Sequence, residues 1–360
     1  MRGLKSESSG DVEFFGVGGP LMQAEGLTSL FEMSELSIFG LVEVLPKYRH
    51  LKKRLHETAQ DVLAKKPDAL ITIDSPGFTL RLAARLRQEF DGKIIHYVAP
   101  SVWAWKPGRA QKMAKHVDHV LAILPFEPPY MTKEGMSCDF VGHPVVAEPV
   151  PDTGEVDRLK AQLNLGTDRL ITLLPGSRLG EITRLAPIFF EVAKKLGPGF
   201  RFVIPVASLH LQKPLEQLLE KSGLSADLVL PEAKLKTTVF AASELALAAS
   251  GTVSIELAAV GTPMVIGYKT NWLTALIMRR AMLASSFTLV NLLTDSKAVP
   301  EFEPRDCTVE NLLREMTKLL ESPDARAAQI SVGQQAIDAL GRGGLDPGVR
   351  AARSVLAQVQ

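Results

Sequence analysis

Arg178 closes the run Leu173-Leu174-Pro175-Gly176-Ser177-Arg178, and its guanidinium is a fork of donors matched to phosphate oxygens. The apolar stretch Leu170 to Leu174 stops at the Pro-Gly turn, and helix-compatible sequence resumes near Gly180-Glu181. A strand, a tight turn and a helix in succession aim unpaired backbone N–H groups at an anion. The same grammar recurs downstream: Leu245 to Ala249 reads as a strand, Ser250-Gly251-Thr252 as a turn, and Val253 to Val260 as a helix. Small residues there let a ligand approach the backbone closely. Glu256 follows Thr252 by four residues, so both share a helix face. A carboxylate so placed can accept both hydroxyls of a ribose while the turn faces a diphosphate. The two turns together point to a phosphorylated, nucleotide-linked substrate. A helix start with a capping hydroxyl and a solvated Glu, or a plain Pro-Gly-Ser loop, fits the spacing equally well.

A second kind of chemistry is offered by Thr72-Ile73-Asp74-Ser75-Pro76, which puts an acid at the C-terminal end of a strand, where α/β folds hold their ligands. A carboxylate there can take a proton from an attacking hydroxyl. By spacing alone, a side-chain cap of the turn before Pro76 is the more ordinary reading.

These residues need a scaffold. Val12 to Val17 reads as a strand, Pro20 to Glu25 as a short helix and Leu51 to Lys66 as an amphipathic helix. Ala69 to Ile73, Lys93 to Val98 and Val120 to Leu124 read as further strands, with a helix over Leu80 to Phe90. The second half repeats the alternation with strands near 170–174, 201–206, 227–230, 244–249 and 263–267. This rhythm predicts an α/β protein built from βαβ units with parallel sheets. At 360 residues the chain suits two doubly wound Rossmann-like domains with the ligand in a cleft between them. The expected division is 1–146, a proline-rich linker over 147–155, and 156–346. A closing helix over 347–360 is free to pack on either domain, a return to the first included.

A net charge of +1 gives no global attraction to nucleic acid. Cys138 and Cys307 lie far apart, outside CxxC or CxxH contexts, so neither a disulfide framework nor a zinc site is indicated. His116 and His119, three apart on an expected helix, read as a solvated polar face rather than a metal pair. No metal and no cofactor are expected. Gly16-Val17-Gly18-Gly19 lacks the third glycine of a dinucleotide fingerprint, since position 21 is Leu21. The start Met1-Arg2-Gly3-Leu4-Lys5 is not a signal peptide, and no apolar run reaches membrane-spanning length.

Membrane contact is best supported between Ser34 and Arg54. Ile38, Phe39, Leu41, Val42 and Leu45 are interleaved with or followed by Lys47, Arg49, Lys52 and Lys53, an apolar stripe beside cations that suits an anionic bilayer surface. An amphipathic helix packed on its own core is the competing reading. Pro46 favours an apolar loop leading into a basic helix over one long helix. Trp272 to Met278 before Arg279-Arg280 is a weaker second candidate.

The motifs also occur together. Leu-Leu-Pro-Gly-Ser-Arg ending at Arg178 with Glu181 beyond it, Ser250-Gly251-Thr252-Val253-Ser254-Ile255-Glu256, and Gly261 to Tyr268 resemble the lipid-A-disaccharide synthase family. So do Phe15 to Gly26, His96 to Trp105 with its Trp103-Ala104-Trp105 block, Leu124 to Glu127, Val141 to Pro144, and Asn291-Leu292-Leu293, in the family's order. The resemblance spans nearly the whole chain. It implies a two-domain glycosyltransferase of the GT-B type that joins UDP-2,3-diacylglucosamine to 2,3-diacylglucosamine 1-phosphate. UDP and the β-1,6-linked lipid A disaccharide are the products. It implies a protein of the cytoplasm attached peripherally to the inner face of the inner membrane, and leaves a homodimer open. Gly176, Ser177, Arg178, Ser250, Gly251, Thr252, Glu256 and Asn291 would hold UDP, with Arg178 taking up the leaving group's charge and Asp74 acting as base. Trp103 and Trp105 would shape the cleft.

There are departures from the pattern. Val290 replaces the family's usual proline, and Gly77 stands where many relatives carry a second Asp. The chain begins inside the family's first helix, so the resemblance implies a missing first strand and glycine-rich loop. A misassigned start codon or impaired folding and activity is the expectation. Alternatives are a non-catalytic UDP-sugar binder, or another GT-B enzyme such as a UDP-N-acetylglucosamine epimerase or a peptidoglycan-type transferase.

Overall fold

The computed structural model describes the backbone of residues 1–36, 41–270 and 282–359, and their side chains except those of 41–47 and 233. Two compact units divide the chain: residues 1–147 with 343–360, and residues 148–342. The expected linker is partly helical. Thr153–Gln162 forms a helix closed by a reciprocal cap, in which Asp152 accepts from the Glu155 amide and Glu155 reaches back to the Asp152 amide.

The first unit holds a parallel sheet of β1 (Ala69–Ile73), β2 (Lys93–Tyr97), β3 (His119–Ala122) and β4 (Ser137–Phe140), paired in that order. The expected strand over Val12 to Val17 does not join it. That segment is extended, but only an isolated bridge from Gly16 to Ser29 forms, and Gly16 turns away at φ 123°. Val12 and Phe14 pack on the core beside Ile95 and Leu121. The helix Leu41–Lys65 corrects the expected break at Pro46. A proline so near a helix start forfeits one backbone bond, and the turns beyond it still propagate. Leu55, Ala59, Leu63 and Val62 of this helix pack into the unit's core with Leu82, Leu86 and Ile94.

His119 lies within β3, not on a helix. It is buried and bonds Ser137 through Nδ1 and Ser354 through Nε2, each at 2.7 Å. Ser354 belongs to the closing helix Pro347–Val359 and donates to Asp139 at 2.6 Å. Arg350 donates to the Phe140 carbonyl and Arg353 pairs with Glu7, so this helix is fastened to the first unit by four polar contacts. Its backbone also closes on the helix Arg2–Glu7. A Cβ added at Gly3 would stand 2.3 Å from the Gly348 carbonyl oxygen. Gly3→Ala is therefore expected to force the two helices apart and cost about 1–3 kcal/mol, read as a lower denaturant midpoint.

The second unit holds six parallel strands, β5 (Arg169–Leu174), β6 (Phe200–Pro205), β7 (Asp227–Val229), β8 (Leu245–Ala249), β9 (Met264–Gly267) and β10 (Glu301–Phe302), ordered β10-β9-β8-β5-β6-β7. β5 and β8 are buried along nearly their whole length, as strands covered on both faces must be. The helix Leu179–Leu196 covers one face with Ile182, Leu185, Ala186, Phe189, Phe190 and Ala193, an apolar stripe at helical spacing. From β5 the chain runs to β6 on one side and later returns to β8 on the other. The strand order reverses between β5 and β8, the place where open α/β sheets bind ligands at their carboxyl edge.

Candidate functional site

Both anion-capable turns stand at that reversal. Leu174 and Ala248 are register partners in β5 and β8, so Pro175-Gly176-Ser177 and Ser250-Gly251-Thr252 leave adjacent strands at the same edge. Gly176 has φ 128° and Gly251 φ 155°, conformations that an L side chain rarely adopts. Ser177 and Arg178 are exposed, as are Gly251 and Thr252. Arg178 is the N-cap of the helix Leu179–Leu196, and its side chain is 59% exposed.

Glu181, which the sequence reading gave no role, folds back over this turn. Its carboxylate accepts from the Ser177 amide at 3.0 Å and from Arg178 Nη1 at 2.6 Å. The amide and guanidinium thus already hold a carboxylate, a chemical stand-in for a phosphate oxygen.

The second turn departs from the plain reading of a capped helix start with a solvated Glu. Thr252 is an N-cap whose hydroxyl makes no capping bond, which leaves that hydroxyl available. Ser250 donates to the Phe287 carbonyl at 3.2 Å. Glu256 is neither solvated nor idle: Lys236 Nζ lies 2.6 Å from it. Glu148 is pushed above the usual carboxylate range by burial and by the Glu256 charge. Lys236 comes from a different helix, Ala233–Ala242, so no local spacing connects it to Glu256.

Asn291 is buried in the helix Leu289–Thr294. Its amide donates to the Val299 carbonyl at 2.9 Å and accepts from the Val299 amide at 3.0 Å. This locks the segment leading to β10. Val290 is fully buried, so the substitution for proline sits in the core. Tyr268, following β9, meets Phe287 at a tilt of 44° with ring centroids 6.0 Å apart, and burial raises the pKa of its phenol.

Asp74 stands at the carboxyl end of β1 with its side chain exposed. Asp74 and Ser75 both take left-handed backbone, φ 44° and 45°, a pairing that costs roughly 1–3 kcal/mol per residue and collects at functional turns. Main-chain groups hold it: the Asp74 amide donates to the Tyr97 carbonyl at 2.9 Å, and Thr79 Oγ1 donates to the Asp74 carbonyl at 2.6 Å. The carboxylate itself makes no hydrogen bond among the described residues, so the cap before Pro76 does not form. His96, in the neighbouring strand, is driven down to about 4 by burial, partly offset by the Asp74 charge. It is neutral at physiological pH, and its Nδ1 lies 2.8 Å from Thr72 Oγ1.

The Trp block is split. Trp103 Nε1 donates to the buried carboxylate of Glu127 at 3.2 Å, and its ring meets Phe126 edge-on at 5.2 Å. Trp105 is 42% exposed. Burial pushes Glu127 up to about 7, against hydrogen bonds from the Leu124 and Ile123 amides and Trp103. A carboxyl whose folded value is raised stabilises the fold fully below its ordinary value of 4.5 and loses that contribution as pH rises through about 7. Glu127→Gln is expected to flatten the fall in unfolding free energy between about pH 5 and pH 7.5 by roughly 1–3 kcal/mol, measured by urea titration at both pH values.

Of the residues read as membrane-contacting, Ile38 and Phe39 lie outside the described residues, as do the side chains of Leu41, Val42, Leu45 and Lys47. Arg49, Lys52 and Lys53 are exposed, Lys53 within 3.6 Å of Glu57. Trp272 to Met278, Arg279 and Arg280 also lie outside the described residues. Among the described residues, no helix is long and apolar enough to cross a membrane.

A family model described as lipid-A-disaccharide synthetase matches residues 1–345. The lipid-A-disaccharide synthase of Ruegeria pomeroyi is 51% identical over 99% of this chain and 90% of its own length. Among solved structures, a glycosyltransferase from Rickettsia africae superposes with a TM-score of 0.58 at 11% identity, covering 96% of this chain and 89% of that one. The UDP-GlcNAc 2-epimerase from Neisseria meningitidis, bound to UDP-GlcNAc, reaches 0.55 at 15% identity, covering 96% and 90%.

Proposed function

This chain belongs to the lipid-A-disaccharide synthase family, glycosyltransferases with two Rossmann-like units of the GT-B type, and we propose that it makes the lipid A disaccharide. It transfers 2,3-diacylglucosamine from UDP-2,3-diacylglucosamine to 2,3-diacylglucosamine 1-phosphate and releases UDP. The observation that carries this reading is the pair of turns at the β5–β8 reversal, with Arg178 exposed beside them.

Asp74 takes the proton from the acceptor hydroxyl as its oxygen attacks the anomeric carbon. The bond from that carbon to the diphosphate breaks on the opposite side, which inverts the centre. The charge gathering on UDP is met by the amides of Gly176, Ser177, Gly251 and Thr252 and by the Arg178 guanidinium, the Ser177 amide and the guanidinium exchanging the Glu181 carboxylate for phosphate oxygens when UDP binds. Glu256, held by Lys236, accepts the ribose hydroxyls, and Asn291 braces the segment beside them.

Both substrates are acylated, so we assign the enzyme to the inner face of the cytoplasmic membrane. Ile38, Phe39, Leu41, Val42 and Leu45 would enter the interface, with Lys47, Arg49, Lys52 and Lys53 against anionic headgroups. The exposure of Arg49, Lys52 and Lys53 supports that assignment.

Radiolabelled UDP-2,3-diacylglucosamine separates the readings. Label moving into a disaccharide only with the acylated sugar phosphate supports the transferase. Calorimetric binding of UDP without any disaccharide would instead mark a non-catalytic binder.

A further inference from the structure

The loop after β2 carries a cluster, exposed at Trp105 and Lys106 and half-buried at Arg109, that the proposed reaction leaves unused. It leaves the sheet at Val98, a β-branched residue at φ 77°, and ends at Lys106, φ 52°. Both are costly backbone conformations for side-chain-bearing residues, and such outliers persist where the surroundings enforce them. The enforcement is visible. Trp103 is tied down by Glu127 and Phe126, and the Val98 amide donates to the Leu121 carbonyl.

With Trp103 fixed inward, Trp105 turns outward. Lys106 Nζ lies 4.5 Å and Arg109 Cζ 5.7 Å from its ring centroid. Among the described residues, neither cation is paired with a carboxylate. Two cations beside a partly exposed indole on a braced loop suit a ligand with an apolar or sugar surface beside an anion. The edge is the right one, because β1 and β2 pair in parallel with Ile73 opposite Tyr97. Asp74 and the Trp105 loop therefore leave neighbouring strands in the same direction.

We propose that Trp105, Lys106 and Arg109 form the subsite for the phosphate of the acceptor sugar, with the indole against the sugar ring and the two cations on the phosphate oxygens. The proposal rests on the transferase reading for the identity of the acceptor. The shared chemistry is a phosphate on an acylated amphiphile, which a membrane phospholipid also presents. Adjacency to the strand bearing Asp74 favours the sugar phosphate.

Calorimetry with short-acyl 2,3-diacylglucosamine 1-phosphate and its dephosphorylated analogue, each below its aggregation concentration, tests this on the full chain. The wild type is expected to bind the phosphorylated sugar at least about 10-fold more tightly than the analogue. The double variant Lys106→Ala/Arg109→Ala is expected to bring the two within about twofold, with UDP affinity and melting temperature unchanged, and Arg109→Lys to restore part of the preference. No preference in the wild type, or an unchanged preference in the double variant, overturns the subsite. So does loss of binding to phosphatidylglycerol vesicles with the sugar preference intact, which would assign the cluster to a headgroup. A preserved preference in a wild type that forms no disaccharide refutes the transferase reading and leaves the subsite standing.

Discussion

Asp74→Asn is expected to lower kcat by about 10²–10⁴-fold while the dissociation constant for UDP stays within about twofold. The amide keeps the volume and the left-handed turn, since Asn tolerates that backbone as well as Asp does. The contacts that hold the turn are main-chain ones to Tyr97 and Thr79, and these survive the change. What is lost is the acceptor for the proton. The carboxylate is exposed and spends no hydrogen bond on its own loop among the described residues. A steady-state assay with saturating donor and varied acceptor checks this. Full turnover in the Asn variant would remove Asp74 from the base role.

Arg178→Ala is expected to reduce kcat/KM by about 10²–10³-fold and to weaken UDP binding as well, because the cation meets the diphosphate both bound and departing. The effect is sharpened by Glu181. In the native turn its carboxylate is shared between Arg178 and the Ser177 amide. Without the guanidinium the same carboxylate remains beside the anion site, unneutralised by Arg178, and repels the incoming phosphates. Arg178→Lys should recover part of the loss in binding and little of the loss in turnover, since a point charge cannot reproduce the guanidinium fork. UDP calorimetry beside initial rates separates the two effects.

The donor half was readable because its signals are local. β5 and β8 are largely apolar runs closed by glycine turns, and helices begin four or five residues beyond them. The parallel alternation follows from the same runs. The elements that escaped reading are those set by tertiary partners. Ser137–Phe140 has little apolar periodicity and becomes β4 because β3 offers it an edge. Glu301–Phe302 is a two-residue strand held by β9. Val12 to Val17 has strand composition yet pairs only through the isolated Gly16–Ser29 bridge, and His119 looks solvated until Ser354, 235 residues away, is packed against it.

The site divides similarly. Arg178, the two turns and Asp74 could be singled out from sequence, because turn chemistry and strand ends are local properties. Glu181 back-folding, the Lys236–Glu256 pair and the Trp103–Glu127 bond could not, since each depends on side-chain geometry or on another element.

Central to the proposed reaction is capture of the departing diphosphate by the amides of the two adjacent turns. Amide chemical shifts followed by NMR during UDP titration of the isotope-labelled chain test it directly. The largest shifts are expected at Gly176, Ser177, Arg178, Ser250, Gly251 and Thr252, greatly diminished in Arg178→Ala. Saturable UDP binding that leaves those six amides unmoved would contradict it.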